Sequence, residues 1–317
     1  MISDFSKPKP QAAKWAFIIF CFLAFYFFGF ILASYTITYP RFDYVHDHWQ
    51  EFMTIYNLKI WMFLKIPSIL LIFSSISLWV YKINSFPKWV LLVLFGLTVV
   101  TTSISFLIIL PIFETMQTVG FNSETNSKLL FFSRWFQIIP TSLICLLILF
   151  LLNDYLKIVK VATRWIFILV LLLTFYLIGT NTVEALIEYR LWNTVSETDW
   201  LAYRKSGPSF GLFVSVYLLP GWLPILLIIP MIWLRPKGIP RFLPICFLLL
   251  EIWAAYITVI YFIPNLQIPL DKIYSKTMLQ DLIRNDNLKR VWVMYALAAL
   301  MILMYGRIKK DELQENN

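Results

Sequence analysis

Long apolar runs that are nearly free of charged residues recur along this chain and limit what it can fold into. A helix needs about 20 consecutive apolar residues to cross the ~30 Å hydrocarbon core of a bilayer. Hydrophobic residues make up 60% of the sequence and charged residues only 14%, whereas soluble domains carry about 25% charged residues. The runs leave no room for a sizeable soluble domain, so the sequence predicts one all-α, multi-pass membrane domain.

Eight spanning helices are predicted from these runs. The connections on the side of the chain termini are short, whereas those on the opposite side are long and hold most aromatic and acidic loop residues. Long connections in a compact protein commonly carry function. The predicted helices are Trp15–Tyr35, Ile60–Tyr81, Trp89–Leu110, Trp135–Leu152, Trp165–Thr182, Phe210–Leu234, Phe242–Pro264 and Val291–Tyr305.

The distribution of basic residues predicts the orientation of the helices. The chain has a net charge of +9, and the excess of Lys and Arg lies on the side of the two termini, while acids and bases balance on the other side. Because Lys and Arg resist translocation, both termini are expected in the cytoplasm and the protein in the cytoplasmic (inner) membrane. The same charge favours contact with the bilayer's anionic lipid headgroups rather than with nucleic acid. The oligomeric state is left open.

The second half of the chain repeats the first. The aligned pairs at a shift of 150 are Lys14–Gly29 with Arg164–Gly179 and Tyr39–Val45 with Tyr189–Val195; at a shift of 153, Pro67 aligns with Pro220 and Pro111 with Pro264. Two units with four helices each run in the same direction across the membrane. The sequence therefore predicts parallel four-helix repeats at residues 15–157 and 158–306, with cytoplasmic tails at 1–14 and 307–317. A pocket is expected between the repeats.

Two segments of the second half resemble a known grouping of membrane proteins. Tyr189–Pro220 contains Y-x-L-W-x-x-V-x-x-x-D-W-x-x-Y before a proline-bearing helix, and Pro264–Trp292 contains P-N-L and L-I-R-N-D-N-L-K-R-V-W. This pattern resembles the bacterial and fungal membrane proteins grouped with anthrone oxygenases. The resemblance implies a four-helix unit, here in tandem, and cofactor-free oxidation of an aromatic substrate as one possible activity.

Glu251 is the most unusual single residue, because it lies near the middle of the seventh predicted helix. A carboxylate at that depth costs several kcal/mol. Desolvation favours the neutral form, which would make Glu251 a proton carrier or a hydrogen-bond donor. The alternative is a structural contact with a neighbouring helix.

Lys65 is the only base within an apolar run. It lies ~8 Å below the predicted membrane boundary at 1.5 Å per residue. Glu184, Glu188 and Asn181 of the fifth helix reach a similar depth. One hypothesis pairs Lys65 with Glu184 or Glu188 in a polar ligand pocket, and the alternative is that Lys65 snorkels to the membrane surface.

Two further sets of side chains are candidates for binding. Trp192, Trp200 and Tyr203, together with Tyr39, would cradle a planar substrate from the outer connections. His46, His48 and Asp43 form a weak candidate for a metal site. On a helix Asp43, His46 and Asp47, at i, i+3 and i+4, would share a face and could hold a metal. No nucleotide-binding or nucleophile motif is present, so no cofactor is predicted.

Three functions fit these features. The first is binding or transport of a small apolar or lipid-like molecule between the repeats. The second is a membrane oxidoreductase like the anthrone oxygenases, and the third is an accessory subunit of a membrane complex. The sequence does not decide whether the protein is an enzyme.

Overall fold

Within the part of the chain that the structure describes, eight helices are long and apolar enough to cross a membrane. The computed structural model describes residues 10–45, 47–81, 83 and 86–308, and this part of the chain contains helices and no strand. A ninth, shorter helix connects two of the spans. The helices are α1 (Gln11–Tyr44), α2 (Trp49–Val80), α3 (Lys88–Val119), α4 (Ser123–Tyr155), α5 (Val161–Thr194), α6 (Glu197–Lys205), α7 (Phe210–Met231), α8 (Phe242–Leu270) and α9 (Lys276–Arg307).

The prediction of long connections opposite the termini was wrong for three of the four connections; only residues 195–209, which contain α6, form a longer one. Most spans contain 32 to 34 residues, which gives a length of ~50 Å against a ~30 Å hydrocarbon core. The polar segments after the predicted spans continue as helix, so that α1 and α2 are separated only by residues 45–48. The segment Lys276–Asp286, which lies before the predicted eighth span, is the first part of α9.

Both ends of the described chain lie at one end of the bundle, which we call the proximal end. Lys14 Nζ donates hydrogen bonds to the carbonyl oxygens of Gly306 at 3.0 Å and Ile308 at 2.9 Å. Trp15 packs against Gly306. The opposite end of the bundle is the distal end.

The spans form two four-helix units that meet along α1 and α5. Helices α1–α4 make the first unit, and α5, α7, α8 and α9 make the second unit. At their crossing, Gly29 of α1 faces the backbone of Tyr176, and Gly179 of α5 faces the backbone of Tyr26. A side chain at either glycine would collide with main-chain atoms. The middle of the contact between the units is therefore closed.

Each spanning helix contains a stretch of π-helix. In six of them a proline follows two residues after the π stretch: Pro40, Pro67, Pro111, Pro140, Pro220 and Pro269. Proline has no N–H and clashes with the carbonyl one turn earlier, and a π turn relieves that clash by widening the helix.

Tyrosine hydroxyls satisfy two of the carbonyls that prolines leave without a donor. Tyr26 donates to the Phe63 carbonyl at 2.9 Å, four residues before Pro67. Tyr176 donates to the Val216 carbonyl at 3.0 Å, four residues before Pro220.

Candidate functional site

A buried carboxylate, Glu188, organises the distal end where the two units meet. Its Oε2 lies 2.7 Å from Nη1 of Arg41, which comes from α1 of the first unit. Tyr203 of α6 donates its hydroxyl to the same oxygen at 3.1 Å, and the Trp192 indole N–H does so at 3.3 Å. Arg41 and Glu188 are both nearly inaccessible to solvent, so this ion pair is formed away from bulk water.

Local structure explains how Glu188 comes to face inward. It ends the π stretch Thr182–Glu188, and a widened turn changes the direction of the side chains that follow it. Tyr203 lies on α6, which begins with a Ser196 cap and covers the distal end of the second unit. Burial raises the pKa of the Tyr203 phenol well above its ordinary value, so Tyr203 stays protonated and donates to Glu188.

A second group of polar residues begins one turn away, at Glu184. The Tyr189 hydroxyl makes a short hydrogen bond to Glu184 Oε1, and Gln267 Nε2 of α8 donates to the Tyr189 oxygen at 3.0 Å. Arg290 of α9 lies 3.9 Å from Glu184 Oε1 and 2.7 Å from Asp286 Oδ1. These residues bring α5, α8 and α9 together inside the second unit.

The second group is only partly closed to its surroundings. The Glu184 side chain is 26% exposed, while the Asp286 side chain is 1% exposed. Two buried atoms, the Tyr217 hydroxyl of α7 and Asp286 Oδ2, have no hydrogen-bond partner in the part of the chain that the structure describes. Buried ions are stable only when their remaining lone pairs and protons are also satisfied. The group therefore has room in its hydrogen bonding for an added partner. We call Glu184, Tyr189, Gln267, Asp286 and Arg290 the distal cluster.

Helix α6 is held over the distal end by two contacts with the end of α8. Arg204 forms an ion pair with Asp271, and its guanidinium stacks 4.2 Å above the Trp192 ring. The Trp200 indole donates to the Leu270 carbonyl at 2.7 Å. These contacts fix α6 against the second unit.

The predicted aromatic cradle is not open. Trp200 and Tyr203 have no exposed surface, and Tyr39 and Trp192 are almost fully buried. They pack inside the distal half of the bundle, where Trp192 and Trp200 meet edge to face at 5.8 Å. A planar substrate would have no free face of these rings to stack on.

The other predicted site residues lie apart from Glu184 and Glu188. Lys65 is buried, its Nζ sits 3.5 Å from the centre of the Trp61 ring, and it forms no ion pair with either glutamate. Glu251 is buried in α8, and no hydrogen bond to its carboxyl group is found among the described residues. Asn181 is partly exposed on α5.

The proposed metal ligands do not form a described site. His46 lies outside the described residues. Asp43 Oδ1 accepts a hydrogen bond from Asn126 at 3.3 Å, and His48 adopts a left-handed backbone conformation with φ of 56° before α2. Across the residues that the structure describes, no group of three His, Cys, Asp or Glu residues could hold a metal ion.

Sequence reasoning missed five members of the two polar groups: Arg41, Tyr189, Gln267, Asp286 and Arg290. A signal for two of them was present in the internal alignment. At the shift of 153, Asp286 stands opposite Ser133 and Arg290 opposite Gln137, so both charges are specific to the second half. Both residues precede the predicted eighth span, which begins at Val291, so they fell outside the predicted helices.

Comparisons with protein-family models, with curated proteins and with solved structures find no match. The resemblance to the anthrone oxygenase grouping therefore stays a prediction.

Proposed function

We propose that the protein binds a small molecule with an apolar body and a hydrogen-bonding head in the distal part of the second unit, and passes it into or across the membrane. The observation that carries this proposal is the distal cluster. It consists of charged and hydrogen-bonding side chains buried among apolar helices, yet partly open at Glu184. Such residues within membrane helices are costly, and they commonly mark binding sites or pathways.

Comparison of the two halves indicates that packing alone does not require these charges. Positions 34, 38, 133 and 137 of the first half hold neutral Ser, Thr, Ser and Gln, whereas the aligned positions of the second half hold Glu184, Glu188, Asp286 and Arg290. A four-helix unit of this kind thus forms with neutral residues there. The charged set in the second unit is better explained by a specific partner.

The chemistry of the cluster suggests the class of ligand. Arg290 offers a guanidinium, Glu184 a carboxylate and Gln267 an amide, so a head with both donors and acceptors would match them. The apolar body would lie against α7, which is the least buried of the eight spans. Pro224 and Pro230 lie inside α7 and weaken its backbone hydrogen bonding, which favours a lateral opening.

The proposed pocket lies at the distal end of the second unit and not, as the sequence predicts, in the middle of the contact between the units. The crossing at Gly29 and Gly179 leaves no room there. At the distal end, Arg41 of the first unit still contributes to the site through Glu188. The expected site between the repeats is thus retained only at that end.

We further propose that the two units are parallel repeats of one ancestral four-helix unit. The boundary between the repeats in the sequence lies in the connection between α4 and α5. Equivalent contacts support this. Gln137 donates to Ser105 at 2.7 Å and Arg290 donates to Thr258 at 3.3 Å, and both members are offset by 153. The π stretches Trp61–Lys65 and Val214–Leu218 have the same offset. The hydrogen bonds of Tyr26 and Tyr176 with α2 and α7 are also equivalent, with tyrosines that align at the shift of 150 and acceptors that align at 153.

The charge asymmetry supports a cytoplasmic proximal end and a location in the cytoplasmic membrane. A fluorescent protein that folds only in the cytoplasm, fused after residue 317, is expected to fluoresce. If an alkaline phosphatase fused at the same position were active instead, the proximal end would face away from the cytoplasm, opposite to the proposed orientation.

Ligand binding is tested by extracting small molecules from protein purified in lipid nanodiscs and identifying them by mass spectrometry. Wild type is compared with Glu184→Gln/Arg290→Gln. The control, Glu124→Gln/Lys128→Gln, removes an exposed ion pair from the same end of the molecule. We expect one species in wild type and in the control, reduced at least ~10-fold in the site variant, which corresponds to about 1.4 kcal/mol. Equal content in all three proteins would exclude a ligand at the distal cluster.

A further inference from the structure

The interior of the first unit contains polar atoms that the protein itself leaves without partners. These side-chain oxygens are sealed from solvent and have no hydrogen bond to any described residue. They come from all four helices of the unit: Ser34, Thr38, Tyr56, Thr101, Ser133 and Gln137. Unmet hydrogen bonds of buried groups are costly, and native proteins rarely contain several together.

Some of these oxygens lie close to one another. The hydroxyls of Tyr56 on α2 and Ser133 on α4 flank the Tyr39 hydroxyl of α1, yet neither forms a hydrogen bond of acceptable geometry. Gln137 uses its Nε2 to donate to Ser105 at 2.7 Å, while its Oε1 has no donor. Three helices therefore direct polar groups into one part of the unit.

The second unit shows that these hydroxyls are not needed to pack the helices. Thr101 and Thr102, both with unpartnered hydroxyls, align with Ala254 and Ala255 at the shift of 153. By contrast, the Thr98 hydroxyl donates to the Leu94 carbonyl at 2.8 Å, as expected for a threonine within a helix.

From these observations we propose that the interior of the first unit binds a small neutral guest that both donates and accepts hydrogen bonds. The Gln137 Oε1 atom requires a donor, whereas the hydroxyls can donate or accept. None of these groups carries a charge, which favours a neutral guest over an ion. Two sources share this chemistry, namely water molecules and a small hydroxylic solute. The proposal does not depend on the function assigned to the second unit.

The test replaces hydroxyls by methyl groups of the same shape, in the variant Thr101→Val/Thr102→Val. If a guest is bound, each substitution removes a hydrogen bond and lowers the melting temperature in nanodiscs by ~2–4 °C. If the hydroxyls are truly unpartnered, their removal leaves the melting temperature unchanged or raises it, and that result overturns the proposal. Thr98→Val, whose hydroxyl is paired within its own helix, measures the loss to expect when one buried hydroxyl hydrogen bond is removed.

Hydroxyl-radical labelling of wild type gives a second measurement that does not depend on a variant. Tyr56 has no exposed surface, so it is labelled only if water reaches it, and a solute that fills the site would protect it. Labelling of Tyr56 without added solute identifies water. Protection that is lost on dialysis, together with a rise in melting temperature on adding glycerol that is absent in the valine variant, identifies a hydroxylic solute. No labelling under either condition, with valine variants at least as stable as wild type, contradicts both.

Discussion

At the scale of single residues, the ion pair of Arg41 with Glu188 links the two units most directly. The two residues are 147 positions apart and meet at 2.7 Å in a site with little solvent. We predict that Arg41→Met lowers the free energy of unfolding by roughly 3–5 kcal/mol, because it leaves a buried carboxylate without its base. The Arg41→Met/Glu188→Met double variant should recover most of that loss. Thermal unfolding in nanodiscs measures both, and additive effects of the two substitutions would show that the pair is not coupled.

Glu251 provides the opposite case, since its buried carboxyl group has no hydrogen bond among the described residues. We predict that Glu251→Leu is at least as stable as wild type, because an apolar side chain at this depth avoids the cost of burying a polar group. Glu188→Leu serves as the control and should be clearly destabilising. If Glu251→Leu loses more than about 1 kcal/mol, the carboxyl group has a partner that stabilises the fold.

Sequence alone identified Glu184, Glu188, Trp192 and Tyr203 as candidates, because polar side chains stand out in an apolar chain. It could not identify Arg41 as the partner. That pairing depends on how α1 and α5 cross, whereas the sequence indicated only that Lys65 lies at a depth similar to that of the glutamates. In the structure Lys65 instead lies against the neighbouring Trp61 ring.

At the scale of helices, the combination of proline, π turn and tyrosine gives a testable prediction. Tyr26→Phe removes the donor to the Phe63 carbonyl and should cost about 1 kcal/mol of stability. In a Pro67→Ala background the cost should be smaller, because residue 67 then has an N–H within reach of that carbonyl. Urea or thermal unfolding of the four proteins of this cycle measures the coupling. An equal cost in both backgrounds would show that the tyrosine does not compensate for the proline.

The crossing of α1 and α5 gives a second prediction at this scale. Gly29→Ala places a methyl group against the backbone of Tyr176, so the helices must separate and the melting temperature should fall by several degrees. Gly96→Ala is the control, because nothing lies within 4 Å of the added carbon. We expect Gly96→Ala to lose no stability, since alanine favours helix over glycine. Similar losses at both positions would contradict a tight crossing.

The number of spans could be predicted from the sequence, because each needs a long apolar run. The distal parts of the helices could not, since their polar faces resemble loops. Lys276–Asp286, for example, has only Leu279, Leu282 and Asp286 buried. Its helical form depends on packing against neighbouring helices, and the local sequence pattern does not show which helices those are.

At the scale of the whole molecule, the two units have the same framework and different interiors. The first unit holds neutral hydroxyls that have no partner among the described residues, each costing about 1–3 kcal/mol if left unsatisfied. Several such costs would equal the whole stability of a typical protein, about 5–15 kcal/mol, which is the reason for proposing a guest in that interior. The second unit holds charges that are partly satisfied by one another. The internal alignment contains this difference, since Glu184, Glu188, Asp286 and Arg290 stand opposite neutral residues of the first half.

The central claim is that the distal cluster, which lies in the second unit, binds the hydrogen-bonding head of a ligand. An electron cryo-microscopy map of the protein in nanodiscs, bound to a Fab fragment for size, tests this most directly. We predict density that belongs to no side chain, in contact with Glu184 and Arg290 and continuing as an apolar body along α7. A map in which Tyr217, Gln267 and Arg290 close on Glu184 without added density would contradict the proposed function.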